Sequence, residues 1–237
     1  MKKINIAVLG TIGVGKTTLL NKLKERLEKD TPDVVLKAEP SVTIPFINDV
    51  LKRFYNDDKN WSFVLQLCIS AAQEAYFQDL RDSDYEYSLF DMPYSSDIYS
   101  YSHMKHNRMP PSGHHSLVGI GSKFPFDYII LINEDKETTI KRVSGRNKKA
   151  NNGEYNGDKK DVAIEDFSYL DSHIEDFKEY QEVWLNRFKC DNPNVKIIRL
   201  EHIPELDTEL YTTLVEHLHS IIVNGEQFPN VKEISLP

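Results

Sequence analysis

Gly10-Thr11-Ile12-Gly13-Val14-Gly15-Lys16-Thr17-Thr18 is the stretch that decides the fold. It fits the phosphate-binding pattern G-x-x-x-x-G-K-[ST] without a gap. Glycines let backbone N–H groups turn inward around phosphate oxygens, with no Cβ in the way. Lys16 can reach β- and γ-phosphates, and the Thr17 hydroxyl can ligate Mg²⁺. The flanks supply the setting that the motif requires. Ile4-Asn5-Ile6-Ala7-Val8-Leu9 reads as a buried strand. Residues 16–29 read as a helix with Leu19, Leu20, Leu23 and Leu27 on one face.

Outward from this motif, apolar β-rich runs alternate with helical patterns. Strands are expected over 4–9, 34–39, 87–91, 128–133 and 195–200. Their near-continuous hydrophobicity suits parallel strands covered on both faces. Helices are expected over 16–29, 44–55, 61–81, 95–106, 136–144, 167–188 and 207–223. The pattern predicts an α/β fold, a doubly wound five-stranded parallel sheet flanked by helices, with right-handed crossovers. Ligands in such sheets sit at the carboxyl ends of the strands. Gly10, Glu39 and Asp91 each fall at such an end, on one rim. Residues 107–126 read as a long loop, and 147–160 as a polar stretch without periodicity. His103, His106, His114 and His115 come with no Cys or acid ligand pattern and read as polar residues rather than metal ligands.

The chain of 237 residues is long enough for one domain with a full core, and one domain over 1–237 is expected. Its net charge of −8 argues against a broad nucleic-acid surface. The N-terminal apolar run is too short for a signal-peptide core or a membrane span. Cys68 and Cys190 suggest no disulfide framework, so a reducing cytoplasm is expected. These features leave a GTPase, an ATPase or a small-molecule kinase. No N-K-x-D guanine motif is present. Ser88-Leu89-Phe90-Asp91 could serve as an apolar strand ending in a Mg²⁺-site carboxylate.

Tyr55, Trp61-Ser62-Phe63 and Gln66 decide between these options. Their order and spacing resemble the nucleoside-pocket segment of the deoxynucleoside kinase family. The phosphate loop is similar to that family's G-x-I-G-x-G-K-[ST]-T, and Glu39-Pro40 to its Glu-Pro pair. Asp91 stands where the family has the acid of its [DE]-R-S triplet, with Ser96-Asp97 following. Arg142 and Gly145-Arg146-Asn147 are similar to the arginine-bearing lid, here about 142–165. The resemblance runs with gaps from residue 4 to about 184.

The resemblance implies an ATP-dependent kinase that transfers the γ-phosphoryl group to a deoxynucleoside 5′-hydroxyl. It implies Mg²⁺ at Thr17 and Asp91, Glu39 as general base, and Lys16, Arg142 and Arg146 as charge-neutralising groups. Gln66 would bond the base, Tyr55 the sugar, and Trp61, Gln73, Asp97 and Tyr101 would complete the substrate set. It also implies a homodimer formed through helices. Two departures stand out. Met92 and Pro93 replace the triplet's Arg and Ser, and Gln73 replaces an Arg seven residues after the base-contacting Gln. Losing two cations predicts a base preference unlike that of better-matched members. Asp91-Met92-Pro93-Tyr94 with Glu39-Pro40 also echoes thymidylate kinases, so a nucleoside monophosphate kinase is the runner-up. A non-catalytic nucleotide-binding protein is third.

Overall fold

Five parallel strands form one sheet in the order β2-β3-β1-β4-β5. They are β1 (Ile4–Gly10), β2 (Val34–Lys37), β3 (Tyr87–Asp91), β4 (Tyr128–Ile132) and β5 (Lys196–Leu200). The computed structural model describes residues 3–118, 124–151 and 167–225. Central β1 pairs with β3 on one side, Val8 opposite Asp91, and with β4 on the other, Gly10 opposite Ile132. The rim where β1 meets both neighbours is therefore the place where connections diverge and ligands lodge.

Alternation along the strands sorts side chains into two cores. Ile6, Val8, Ile130 and Ile132 pack with helices α1 (Lys16–Leu27) and α9 (Glu209–Asn224) on one face. Ala7, Leu9, Ile129 and Leu131 face the other layer. That layer holds α3 (Pro45–Asn56), α4 (Asp58–Asp82), α5 (Ser95–Lys105) and α8 (Phe167–Asp191). Aromatic rings fill it: Phe77 stacks on Phe124 at 4.8 Å and meets Phe90 at 4.9 Å, and Trp184 stacks on Phe188 at 5.0 Å. Truncating a fully buried ring such as Phe77 to Ala costs about 3–5 kcal/mol.

The structure refines several expected boundaries. Helix α4 begins before Trp61 because the Asp57 carboxylate caps it, accepting the Asn60 N–H. The expected loop over 107–126 contains a short helix, α6 (Pro111–Leu117), opened by a proline at its first position. A further short helix, α2 (Pro40–Thr43), follows Glu39. Helix α7 (Lys136–Asn151) runs on past Ser144 into the polar stretch. Most of the expected lid, from 152 to 165, lies outside the described residues.

Candidate active site

The phosphate loop owes its shape to its glycines. Gly13 has φ +83°, and a Cβ there would stand 2.4 Å from Val143 Cγ2 of α7. Gly10, at φ +154°, would bring a Cβ to 2.9 Å from the Ile132 carbonyl of β4. The loop is thus seated tightly between strand and helix, and any side chain at these positions would push it out.

Lys16 is buried at the start of α1, and its Nζ donates to the carbonyls of Gly10 at 3.0 Å and Thr11 at 2.9 Å. Thr17 Oγ1 donates to Asp91 Oδ2 at 2.6 Å across the β1–β3 rim. Oδ1 of Asp91 is buried and has no hydrogen-bond partner among the described residues. Burial pushes the Asp91 carboxyl up, while Lys16 and the Thr17 hydroxyl pull it down. A buried carboxylate with one oxygen unspent beside a hydroxyl is a donor set suited to a hard cation or its water shell.

The loop floors one cavity of about 570 Å³, inside the usual range of about 300–1,000 Å³ for small-molecule sites. One end is walled by Glu39, Asn48, Tyr55, Gln66, Tyr99 and His103, over Phe54, Leu65 and Ile69. Spacing explains the convergence. Asn48, Leu51 and Tyr55 share a face of α3, Leu65, Gln66 and Ile69 one of α4, and Tyr99 and His103 one of α5. Gln66 is 2% exposed, and its Oε1 has no partner among the described residues. His103 lies 5.1 Å from the Phe54 ring. Burial, helped by the charges of His173, Arg108 and His106, lowers its pKa to about 3, so this imidazole is neutral. Arg142, Ile203, Pro204, Glu205, Leu206 and Tyr211 also wall the cavity, Ile203 and Tyr211 from the α1–α9 layer.

Glu39, Tyr55, Gln66, Lys16, Thr17, Thr18 and the loop residues Ile12 to Gly15 are all brought together here. Arg142 reaches the wall with its guanidinium engaged. It donates to the Val14 carbonyl at 3.1 Å and the Ile203 carbonyl at 2.9 Å, and pairs with Glu134 at 2.9 Å. Glu134 is 1% exposed and also meets His202 Nδ1 at 2.9 Å. This pair braces the phosphate loop against the segment after β5. The side chain of Arg146 lies outside the described residues.

Four expected substrate residues are not brought to the cavity wall. Trp61 packs against the core, with the Arg53 guanidinium 5.0 Å over its ring. Tyr101 stacks on Tyr180 of α8 at 4.3 Å. Burial pushes the Asp97 carboxyl up to about 7, against the charge of Arg187. Gln73 is 3% exposed and spent on backbone. Its Nε2 donates to the Met92 carbonyl at 2.9 Å and to Ser95 Oγ at 3.2 Å, and its Oε1 accepts the Tyr94 N–H at 3.1 Å. Met92 and Tyr94 both sit at positive φ, +49° and +58°. A neutral amide offering a donor and an acceptor suits that turn, and an Arg, which has no acceptor, does not.

Asn48, Tyr99, His103 and Tyr211 escaped the sequence reading. The signal for the first three was the helical spacing above. For Tyr211 it was the strand-end position of the segment that follows β5.

The deoxynucleoside kinase family model matches residues 6–223. No curated protein gives a significant sequence match. Among solved structures, deoxyadenosine kinase from M. mycoides with bound dATP superposes with a TM-score of 0.65 at 15% identity, over 92% of this chain and 100% of that one. The same enzyme with bound dCTP gives 0.63 at 16% identity, over 92% and 100%. Its complex with the products dCMP and a flexible dCDP gives 0.63 at 15%, over 94% and 100%.

Proposed function

The chain belongs to the deoxynucleoside kinase family, and from that premise we propose that it transfers the γ-phosphoryl group of ATP, or a related triphosphate, to the 5′-hydroxyl of a deoxynucleoside. The observation that carries this reading is one cavity lined by the phosphate loop, Glu39, Tyr55 and Gln66 together. An acceptor lies at the Gln66 end, its base edge meeting the buried Oε1 and its sugar near Tyr55. Glu39 takes the proton from the 5′-hydroxyl as that oxygen bonds to phosphorus, and ADP leaves from the loop. Lys16 exchanges its Gly10 and Thr11 carbonyls for phosphate oxygens. Thr17 and Asp91 would hold Mg²⁺, which supplies charge neutralisation for the triphosphate. Arg142 holds the loop in register, and Arg146, one turn further along α7, is assigned to charge neutralisation by the family resemblance alone.

The monophosphate-kinase alternative needs cations for the acceptor's own phosphate. The described wall at the Gln66 end carries no Lys or Arg, which supports the nucleoside reading. Outward-facing Val64, Leu67, Ala71 and Ala75 line one face of α4 and support a homodimer. Cys68 and Cys190 are free, which supports a cytoplasmic enzyme of nucleotide salvage. Among the described residues, no helix is long and apolar enough to cross a membrane.

The test is ATP consumption with Mg²⁺ across the natural deoxynucleosides and their monophosphates. Turnover with at least one nucleoside is expected. Turnover with monophosphates alone refutes the assignment.

A further inference from the structure

We propose that the Tyr211 hydroxyl is a binding group for the nucleoside half of the donor triphosphate, and that it reads that half as a hydrogen-bond donor. The inference rests on the kinase reading and adds to it a residue for the second substrate.

Tyr211 is 4% exposed and stands in the first turn of α9, where Thr208 Oγ1 accepts its N–H at 3.2 Å. Its ring packs among Val14, Ile203, Leu214 and Val215. Its hydroxyl is buried and has no hydrogen-bond partner among the described residues. A phenol left so costs about 1–3 kcal/mol relative to one that is bonded. A buried hydroxyl in a cavity wall with nothing to bond is therefore better explained by a ligand than by packing.

The position says which ligand. Gln66, His103 and Tyr55 line the cavity from the α3–α5 layer, and Tyr211 lines it from the α1–α9 layer beside Arg142 and the 203–206 segment. The phosphate loop follows β1, the strand sandwiched between these two layers, and lines the same cavity. In a direct transfer the γ-phosphoryl group faces the acceptor, so the donor's nucleoside extends the other way, toward Tyr211. Burial pushes the phenol up to about 12, so it keeps its proton at neutral pH. It donates to a ring nitrogen or sugar oxygen of that nucleoside.

The test compares full-length wild type with Tyr211→Phe, in Mg²⁺, by calorimetric binding of ATP and of inorganic tripolyphosphate, with thermal denaturation of each unliganded protein. Phe keeps the ring packing and deletes only the hydroxyl. A hydrogen bond of ordinary net worth predicts ATP affinity about three- to tenfold weaker, and unchanged tripolyphosphate affinity. The unliganded variant should melt at the same temperature or higher. Equal loss for both ligands, no loss for ATP, or a lower melting temperature without ligand each overturns the proposal. Wild-type protein that binds neither ligand overturns the kinase reading along with it. That failure is distinguishable because it appears before any substitution.

Discussion

Replacing Gln73 by Leu should destabilise the protein strongly and leave base preference untouched. The side chain holds three partners: the Met92 carbonyl, Ser95 Oγ and the Tyr94 N–H. Leu fills the volume but leaves two buried backbone groups without partners, at about 1–3 kcal/mol each. The expected loss is about 2–6 kcal/mol. The turn it releases is already costly, since Met92 and Tyr94 are non-glycine residues at positive φ. In a chain of this size a loss of about 2–6 kcal/mol lowers the melting temperature by roughly 5–20 °C. Gln73→Arg should fail similarly, because guanidinium cannot accept the Tyr94 N–H and its charge would be buried. The assay pairs thermal denaturation with kcat/KM ratios among deoxynucleosides at a temperature where both proteins are folded. Stability retained within about 0.5 kcal/mol refutes the reasoning. So does a change of base preference at unchanged stability, which would return Gln73 to the pocket.

Glu39→Gln should lower kcat by about 10²–10⁴-fold with acceptor binding mostly kept, read by steady-state kinetics and nucleoside binding. Joint loss of binding and stability with kcat intact would make Glu39 structural. Arg142→Ala should destabilise by about 3–5 kcal/mol, because it strips the buried Glu134 carboxylate of its cationic partner. Adding Glu134→Ala should restore part of that in denaturant melts. For pH, His103 has a folded-state pKa of about 3 against an ordinary 6.5. The unfolded chain therefore binds the extra proton first, and stability falls as pH drops from about 6.5 toward 3. Asp97, raised to about 7 from 3.8, acts oppositely, and its contribution is lost as pH rises from about 3.8 to about 7. His103→Phe should flatten the acid limb of melting temperature against pH, and an unchanged limb would remove His103 as its cause.

The sheet was legible because β1 and its neighbours carry unbroken apolar runs that only a doubly covered parallel sheet accommodates. Gly10, Lys16 and Thr17 were legible for a related reason, since few residue types fit a phosphate cradle. The wall residues were harder. Asn48, Tyr99 and His103 acquire meaning only when three helices bring their faces together, and no single helix announces that. Gln73 was harder still, because spacing locates a residue along α4 without saying what its amide meets. The pairing that decides it is with a turn nineteen residues away. Helix α6 was hidden by a segment rich in Gly, Ser, Pro and His, weak helix formers that tertiary packing overrides.

The position of β1 at the centre of the sheet also constrains the order of assembly. Both of its ladder partners come from far along the chain: Asn5 pairs with Ser88 of β3 and Ile6 with Tyr128 of β4. The phosphate loop gains its second wall only when β4 is in place, since Gly10 leans on Ile132. Loop-closure entropy for such distant pairings precedes any reward, so nucleation here is slow and non-local. A nascent chain that has emerged only through β3 holds the whole Gly10–Thr18 motif, yet lacks the wall that gives it shape. Nucleotide capture during synthesis therefore has to wait for β4, and ligand added to the translating ribosome should protect no fragment that ends before it.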